Sequence, residues 1–398
     1  MEQSWTLERA RQADAGDPLK HTKERFSLPD GVLYLDGNSL GALAKEVPIA
    51  LERLARKEWG RGLIAGWQQS GWMAAPERVG DLIAPLVGAE AGEVIVADTT
   101  TIAIHKVLGA ALAARPGRKV VLSSTDNFPS DLYACSETAR RYGAQLRVVE
   151  RSDLLGAIDE EVAAVEATHV DYRTGTMHDL PAVTQAAHRA GALMIWDLCH
   201  SAGAVPVGLS ENEVDLAVGC TYKYLNGGPG APSFIYVRRQ LQRELDSPLP
   251  GWLGHEHPFD FSSSYEPARG VRRFLTSSPP ITAVTALEAA LSAFAGVSIE
   301  EVRAKSVALT DLFASVVAEM AGTGFELASP AEASKRGSQV SFRHRRAAEV
   351  VAAAAGKGVI GDFRPPDLCR FGLAPLYLSY EDVYAAARLL GAVAASLA

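Results

Sequence analysis

The chain has 398 residues, of which 47% are hydrophobic and 22% are charged. These proportions are ordinary for a folded globular protein, and they exclude disorder as its general state. The formal net charge is −8. The chain as a whole therefore does not attract nucleic acid or an anionic membrane, although a local site for a small anion remains possible.

The cysteines and the first residues of the chain indicate the cellular compartment of the protein. The four cysteines stand at positions 135, 199, 220 and 369 and form no C-x-x-C pair, which favours reduced thiols over a disulfide framework. The first twenty residues lack the apolar core of a secretion signal. No apolar stretch approaches the roughly 18 residues that a membrane-spanning helix needs. We therefore expect a cytoplasmic protein with no membrane partner.

Apolar runs alternate with helically spaced segments through the middle of the chain. This alternation predicts an α/β fold with a largely parallel sheet covered by helices on both faces. The expected sheet strands are 93–96, 119–122, 145–149, 168–172, 192–197, 214–218 and 233–237. The expected helices are 5–14, 44–60, 76–88, 102–114, 130–142, 180–190, 282–296, 300–321, 350–355 and 380–397. Further short strands are expected near 31–35, 338–342 and 370–373.

The pattern also predicts a division into domains. Residues 1–40 would form an N-terminal arm, 41–280 a large α/β domain, and 281–398 a smaller α+β domain against which the arm packs. The segment 240–280 breaks the alternation with many prolines and glycines. A long irregular stretch of this kind usually serves function or an interface.

Two polar motifs follow predicted strands at the edge where parallel sheets bind ligands. Thr99, Thr100 and Thr101 come directly before a helix, where hydroxyls and backbone N–H groups suit a phosphate. In isolation, plain helix capping is the favoured explanation of this motif. Phe128 stands beside a rigid proline and could stack on a planar ring, although an ordinary turn capped by Ser130 is the simpler explanation.

A carboxylate and an amine follow two later strands. Asp197 ends an apolar strand and needs a cationic partner, such as a protonated ring nitrogen. His200 comes three residues later, but with His255 and His257 it shows no recognised metal-ligand spacing. Lys223 lies between an apolar strand and a glycine-rich loop, a position that suits Schiff-base chemistry. We expect burial and nearby cations to lower the pKa of its amine.

These features together indicate a pyridoxal phosphate enzyme. They provide a phosphate cradle, a stacking aromatic ring, an aspartate for a pyridine nitrogen and an imine-forming lysine. Each signal is weak alone, but their order along the chain, each at the end of a strand, is fairly specific.

At this point the sequence resembles the kynureninase family, pyridoxal phosphate enzymes of fold type I in the aspartate aminotransferase superfamily, in its bacterial form. The resemblance covers nearly the whole chain. Its motifs are Leu35–Gly41 (LDGNSLG), Phe128–Asp131 (FPSD), Asp197–Gly203 (DLCHSAG), Thr221–Asn226 (TYKYLN), Gly251–His255 (GWLGH), Ser278–Ile281 (SPPI), Arg370–Gly372 (RFG) and Pro375–Tyr377 (PLY).

The resemblance implies a set of site residues. Lys223, Tyr222 and Asp197 would be catalytic, with Lys223 bound covalently to the cofactor. The residues implied to contact the cofactor are Thr100, Thr101, Phe128, Pro129, Ser130, Asp131, Thr168, Asp197, His200, Tyr222, Lys223, Trp252 and Ser278. The residues implied to contact the substrate are Arg370, Asn38, Ser39 and Trp67.

The implied reaction is hydrolytic β,γ-cleavage of L-kynurenine to anthranilate and L-alanine. Arg370 would bind the substrate α-carboxylate, which suits the fork of a guanidinium group. With Trp67 in the aryl pocket, the sequence resembles the bacterial form of the family, which prefers kynurenine over its 3-hydroxy derivative. Trp252 and Ser278 would reach the phosphate of the partner subunit, so the resemblance implies a homodimer with shared sites.

Other functions stay open. A cysteine desulfurase shares the fold, the lysine and the aspartate, but it needs a reactive cysteine, for which Cys369 is the candidate in the smaller domain. A class V aminotransferase would turn over a 2-oxo acid. A non-catalytic pyridoxal phosphate-binding or metal-binding protein is the alternative outside enzymes.

Overall fold

The computed structural model of the chain describes residues 4–397. Its α-helices are α1 (Leu7–Gly16), α2 (Glu46–Arg53), α3 (Gly66–Gln69), α4 (Ala75–Val87), α5 (Thr100–Ala113), α6 (Pro129–Arg141), α7 (Leu180–Ala190), α8 (Ile281–Leu291), α9 (Ile299–Glu319), α10 (Ala347–Ala355) and α11 (Tyr380–Leu397). No single helix within residues 4–397 is long and apolar enough to cross a membrane, although one sharply bent pair, Ile281–Phe294 with Ile299–Glu319, passes by length and composition.

The strands fall into one large sheet and several small ones. They are β1 (Phe26–Ser27), β2 (Leu33–Tyr34), β3 (Leu43–Ala44), β4 (Val94–Val96), β5 (Val120–Ser124), β6 (Gln145–Val149), β7 (Val162–Thr168), β8 (Leu193–Asp197), β9 (Leu216–Cys220), β10 (Ser233–Val237), β11 (Glu326–Leu327), β12 (Gln339–Arg343), β13 (Val359–Ile360), β14 (Asp362–Arg364) and β15 (Leu368–Gly372).

Within residues 4–397 the large sheet has the order β4-β10-β9-β8-β7-β5-β6. Its strands run parallel except β10, which is antiparallel to both of its neighbours. Both faces are covered: Met194 and Trp196 of β8 join one apolar core, whereas Leu193 and Ile195 join the other. The predicted α/β architecture is confirmed.

One strand prediction is wrong. The strand expected at 168–172 lies instead at Val162–Thr168, so that Thr168 is its last residue. Beyond Thr168 the backbone turns, and Val170 forms an isolated bridge with Met177. The sequence pattern concealed the strand because the charged residue Glu166 interrupts its apolar run.

The N-terminal arm lies against the C-terminal part of the chain. Strand β2 pairs in parallel with β13, and Asp36 bridges Gly372 at the end of β15. The arm then reaches the large sheet, where the Gly41 N–H donates to the Tyr222 carbonyl at 2.7 Å. This path brings the Asn38–Ser39 turn close to the loop after β9.

Candidate active site

A cavity of about 190 Å3 lies at the edge of the large sheet where the parallel strands end. Its walls come from the loops after β4, β5, β7, β8 and β9. The lining residues are Thr99, Thr100, Thr101, Phe128, Ser130, Asp131, Thr168, Tyr172, Asp197, Cys199, His200, Tyr222 and Lys223. The structure therefore brings together most of the residues that were predicted to contact a cofactor.

The three threonines lie at the start of α5. Thr99 is the N-cap residue, but its side chain makes no capping hydrogen bond to any residue in the described range 4–397. Helix capping therefore does not account for Thr99. The N–H groups of the first helical turn, which have no partner inside a helix, are available to an anion in the cavity.

Asp197 is the last residue of β8 and is 3% exposed. Its Oδ2 accepts a hydrogen bond from the Thr168 hydroxyl at 2.5 Å, and its Oδ1 accepts one from the Cys199 N–H at 2.9 Å. The register of β7 and β8 places Thr168 directly beside Asp197. The carboxyl group of Asp197 therefore lies at the cavity wall, where it can pair with a cation.

Lys223 reaches the cavity from the loop after β9. Its Nζ lies 3.0 Å from His200 Nε2. Burial and the charge of Lys223 lower the pKa of His200 well below its usual range, so the ring is neutral and its Nε2 accepts a hydrogen bond from the lysine ammonium. This contact places a hydrogen-bond acceptor beside the amine.

The expectation of a lowered amine pKa is wrong. Burial lowers the pKa of Lys223, but negative charge on Cys220, Cys199 and Asp197 raises it more, and the net direction is upward. The pKa of the neighbouring Tyr222 phenol is also raised, by negative charge on Cys220 and by burial. Both groups therefore hold their protons at neutral pH in this structure.

Arg370 lies 1% exposed in a polar cluster beside the cavity. Its Nε and Nη2 donate to the two oxygens of Asp362 at 2.7 and 2.5 Å, Nη2 also donates to the Ser39 hydroxyl at 2.7 Å, and Nη1 donates to the Tyr172 carbonyl at 2.5 Å. Asn38 is fully buried nearby and donates to Gln339 Oε1 at 3.3 Å. The fork of Arg370 is therefore held by Asp362.

Seven predicted residues do not line the Lys223 cavity of their own chain: Asn38, Ser39 and Arg370 of the adjoining cluster, and Trp67, Pro129, Trp252 and Ser278. Trp67 and Ser278 line a separate, largely apolar cavity of about 540 Å3. Trp252 lies in the irregular segment, where its Nε1 donates to the Pro258 carbonyl and its ring meets Phe259 edge-on. Pro129 opens α6 between two lining residues.

Sequence reasoning missed four residues: Tyr172 and Cys199 line the cavity, whereas Asp362 and Gln339 belong to the adjoining cluster around Arg370 and Asn38. For Asp362 the sequence does carry a signal. Strands β14 and β15 form an antiparallel pair that turns at Pro365–Asp367, and their register places Asp362 directly opposite Arg370. Interpreting residues 359–372 as a hairpin is enough to pair the two charges from the sequence alone.

The cavity fits the cofactor that the resemblance implies. Asp131 is 2% exposed, and its Oδ2 has no hydrogen-bond partner among residues 4–397. A buried polar atom of this kind indicates a missing partner. The other walls offer a carboxylate for a ring nitrogen, a primary amine for an aldehyde and a helix N-terminus for a phosphate. No three His, Cys, Asp or Glu side chains in the described chain converge to hold a metal ion.

The chain is similar to known proteins over almost its whole length. Residues 302–390 match the family model of the kynureninase C-terminal domain. A kynureninase of Burkholderia pseudomallei (strain K96243) is 46% identical over 393 residues, which cover 97% of this chain and 94% of that protein. A kynureninase of Pseudomonas fluorescens is 45% identical over 388 residues, with coverages of 96% and 93%. A solved cysteine desulfurase from Escherichia coli shares the fold, with a TM-score of 0.78 at 20% identity and coverages of 94% and 98%.

Proposed function

The chain belongs to the kynureninase family, and we propose that the cavity around Lys223 is its active site. The protein is a pyridoxal phosphate enzyme that cleaves L-kynurenine hydrolytically to anthranilate and L-alanine. One observation carries the assignment of the site: Lys223, Asp197 and the threonines at the start of α5 line one small cavity at the strand ends.

We assign the cofactor contacts to the walls of this cavity. Lys223 Nζ would bind the aldehyde, Asp197 would pair with the ring nitrogen, and Phe128 would cover a face of the ring. His200 and Tyr222 would flank the amine. The remaining proposed contacts in the same subunit are Thr100, Thr101, Pro129, Ser130, Asp131 and Thr168.

Bound pyridoxal phosphate supplies an electron sink that stabilises negative charge at the substrate α-carbon. Around it, Lys223 Nζ in its unprotonated form would take the proton from the α-carbon and return it later, while His200 Nε2, 3.0 Å away, would orient that amine by a hydrogen bond. The Tyr222 hydroxyl donates a proton during carbon–carbon cleavage. Its raised pKa suits a donor that keeps its proton until negative charge develops nearby.

We assign the substrate α-carboxylate to Arg370, with Asn38 and Ser39 in the adjoining turn. Because Asp362 holds the fork of Arg370, the one guanidinium N–H that has no acceptor among residues 4–397 is on Nη1. We therefore expect the carboxylate to bind at the Nη1 end of the group. Trp67 would line the aryl pocket and favour kynurenine over its 3-hydroxy derivative.

A homodimer completes this assignment. Trp59, Leu63 and Ile64 are 63, 64 and 81% exposed around the apolar cavity that contains Trp67 and Ser278. Such an exposed apolar patch is typical of a subunit interface. Trp252 and Ser278 would then contact the phosphate of the partner subunit.

Subunit mixing tests the shared site. Lys223→Ala and Trp252→Ala subunits, each of low activity alone, would on mixing form heterodimers with one fully native site. Random pairing would restore about a quarter of wild-type activity, since half of the dimers are mixed and each carries one native site of two. Recovery of no activity from verified heterodimers would place Trp252 in the site of its own subunit.

The division at 1–40, 41–280 and 281–398 remains our proposal for the domains; positions 1–3 and 398 lie outside the described residues. A cytoplasmic location is also proposed, and it is supported by the buried and unpaired state of all four cysteines.

The activity itself is tested with L-kynurenine, by following anthranilate fluorescence. Sulfide release from L-cysteine in its place would indicate a desulfurase. The structure argues against that alternative, because Cys369 is fully buried on β15 and burial raises its pKa to about 12, which leaves it an unreactive thiol.

A further inference from the structure

One buried ionisable group beside the cavity has no role in the proposed reaction. Glu166 lies in the middle of β7 and is fully buried. It comes two residues before Thr168, so both side chains project from the same face of the strand. Thr168 donates to Asp197 at 2.5 Å. Glu166 therefore lies immediately behind the carboxylate assigned to the ring nitrogen.

The contacts of Glu166 are all with neutral donors. Its Oε2 accepts hydrogen bonds from the Asn127 amide, from the Ser123 hydroxyl at 3.3 Å and from the Cys135 thiol at 3.5 Å. Its Oε1 has no partner, and no Lys, Arg or His in the described part of the chain forms an ion pair with it. A buried carboxylate without a cation is costly, so these surroundings favour the protonated form.

The titratable groups around Glu166 are Asp131 and Cys135 on α6 and Asp197 at the end of β8. Burial and the negative charge of Asp197 raise the pKa of Glu166 to about 8. Burial, Asp197 and Glu166 likewise raise the pKa of Asp131, whereas the charge of Lys223 lowers it. Three carboxyl groups thus share one buried region, and Asp197 is the member that accepts hydrogen bonds from the Thr168 hydroxyl and the Cys199 N–H.

Asn127 connects Glu166 to the cavity wall, because its amide donates to Glu166 Oε2. Its amide also donates to Ser123 at 3.0 Å, and it directly precedes Phe128, which we assign to the cofactor ring. The N–H of Asp131 donates to the Phe128 carbonyl at 2.9 Å, so the turn and the start of α6 are one unit. Moving Asn127 would therefore displace both the aromatic ring and Asp131.

We infer that Glu166 is a positioning residue for the cofactor ring: as a neutral carboxyl it holds the Asn127–Phe128 turn, and as a carboxylate it adds a second negative charge behind Asp197. Ionisation transfers its proton to bulk water. The added charge stabilises a protonated ring nitrogen and changes the electronic environment of the bound cofactor. This inference rests on the proposed function.

The test is a pH titration of the visible absorbance of the holoenzyme, without substrate. The wild-type curve should show an inflection near pH 8 that is absent from Glu166→Gln, which is neutral at every pH and keeps the shape and the acceptor for Asn127. Glu160→Gln is the matched control, because Glu160 is exposed just before the same strand; its curve should follow wild type. Superimposable curves for wild type and Glu166→Gln would overturn the charge part of the inference.

A second variant separates the charge from the hydrogen bond. Glu166→Met is also neutral and of similar size but cannot accept from Asn127. Titration of its apoenzyme with pyridoxal phosphate should give a dissociation constant about tenfold above that of Glu166→Gln. Equal constants would overturn the positioning part. If wild-type protein binds pyridoxal phosphate without any visible band, the proposed function fails instead, and the two failures are thereby distinguished.

Discussion

The two halves of the site, the Lys223 cavity and the Arg370 cluster, are built in different ways. The cavity gathers residues that each end or directly follow a strand of one parallel sheet, and its key pair, Thr168 and Asp197, is fixed by strand register. The Arg370 cluster instead joins an arm turn (Ser39), a loop carbonyl (Tyr172) and the small sheet (Asp362). The groups that we propose to make bonds are thus held by one sheet, whereas the group that we propose to bind the substrate is held by three segments that are distant in the sequence.

The largest expected effect lies in the cavity. Lys223→Ala removes both the covalent anchor and the proton-transfer group, so we expect kcat to fall by at least about 10^3-fold. The visible absorbance of the holoenzyme should disappear, while the melting temperature of the apoenzyme changes little.

Lys357→Ala is the matched control, because Lys357 is exposed at the end of α10. Both its activity and its visible band should equal those of wild type. A Lys223→Ala protein that kept the visible band would show that another amine holds the cofactor, and the bond-making role of the cavity would then be wrongly assigned.

The difference between the Lys223 cavity and the Arg370 cluster also explains what could be predicted from the sequence. The cavity was predictable because alternating strands and helices place every strand end at one edge, which turns linear order into spatial proximity. Glu166 was missed because a charge inside an apolar run concealed the first six residues of β7. Asp362 was missed because the two short strands 359–364 did not stand out from the loops, so nothing placed it opposite Arg370. The proposed contacts of Trp67, Trp252 and Ser278 would depend on a second subunit, which no pattern of strands and helices within one chain encodes.

Arg370→Lys tests the Arg370 cluster, to which we assign substrate binding. The ammonium keeps the charge but cannot reach Asp362, Ser39 and the Tyr172 carbonyl together, as the guanidinium does. We expect KM for L-kynurenine to rise roughly 30-fold, which corresponds to about 2 kcal/mol of binding free energy. The visible band of the cofactor should not change.

Arg343→Lys is the control, because Arg343 forms an exposed ion pair with Asp367 in the turn between β14 and β15. Its KM should match wild type. Equal losses of cofactor and substrate affinity in Arg370→Lys would mean that the cavity and the Arg370 cluster are one structural unit rather than two.

Asp362→Asn gives the smallest effect and tests whether the ion pair stabilises the cluster. Burial raises the pKa of Asp362, but the hydrogen bond and charge of Arg370 lower it more, and the net direction is downward. A carboxyl whose folded pKa is depressed contributes stability above its unfolded pKa of about 3.9, and that contribution is lost as pH falls through the folded value. The wild-type melting temperature should therefore decline more steeply below about pH 4 than that of Asp362→Asn.

Because the amide still accepts from Arg370 through one oxygen and frees part of its fork, we expect KM to change by less than about fivefold at pH 7. Identical acid profiles of the two proteins would show that Asp362 orients Arg370 without stabilising the fold, so that the recognition half of the site is held by the neutral contacts of Ser39 and Tyr172 alone.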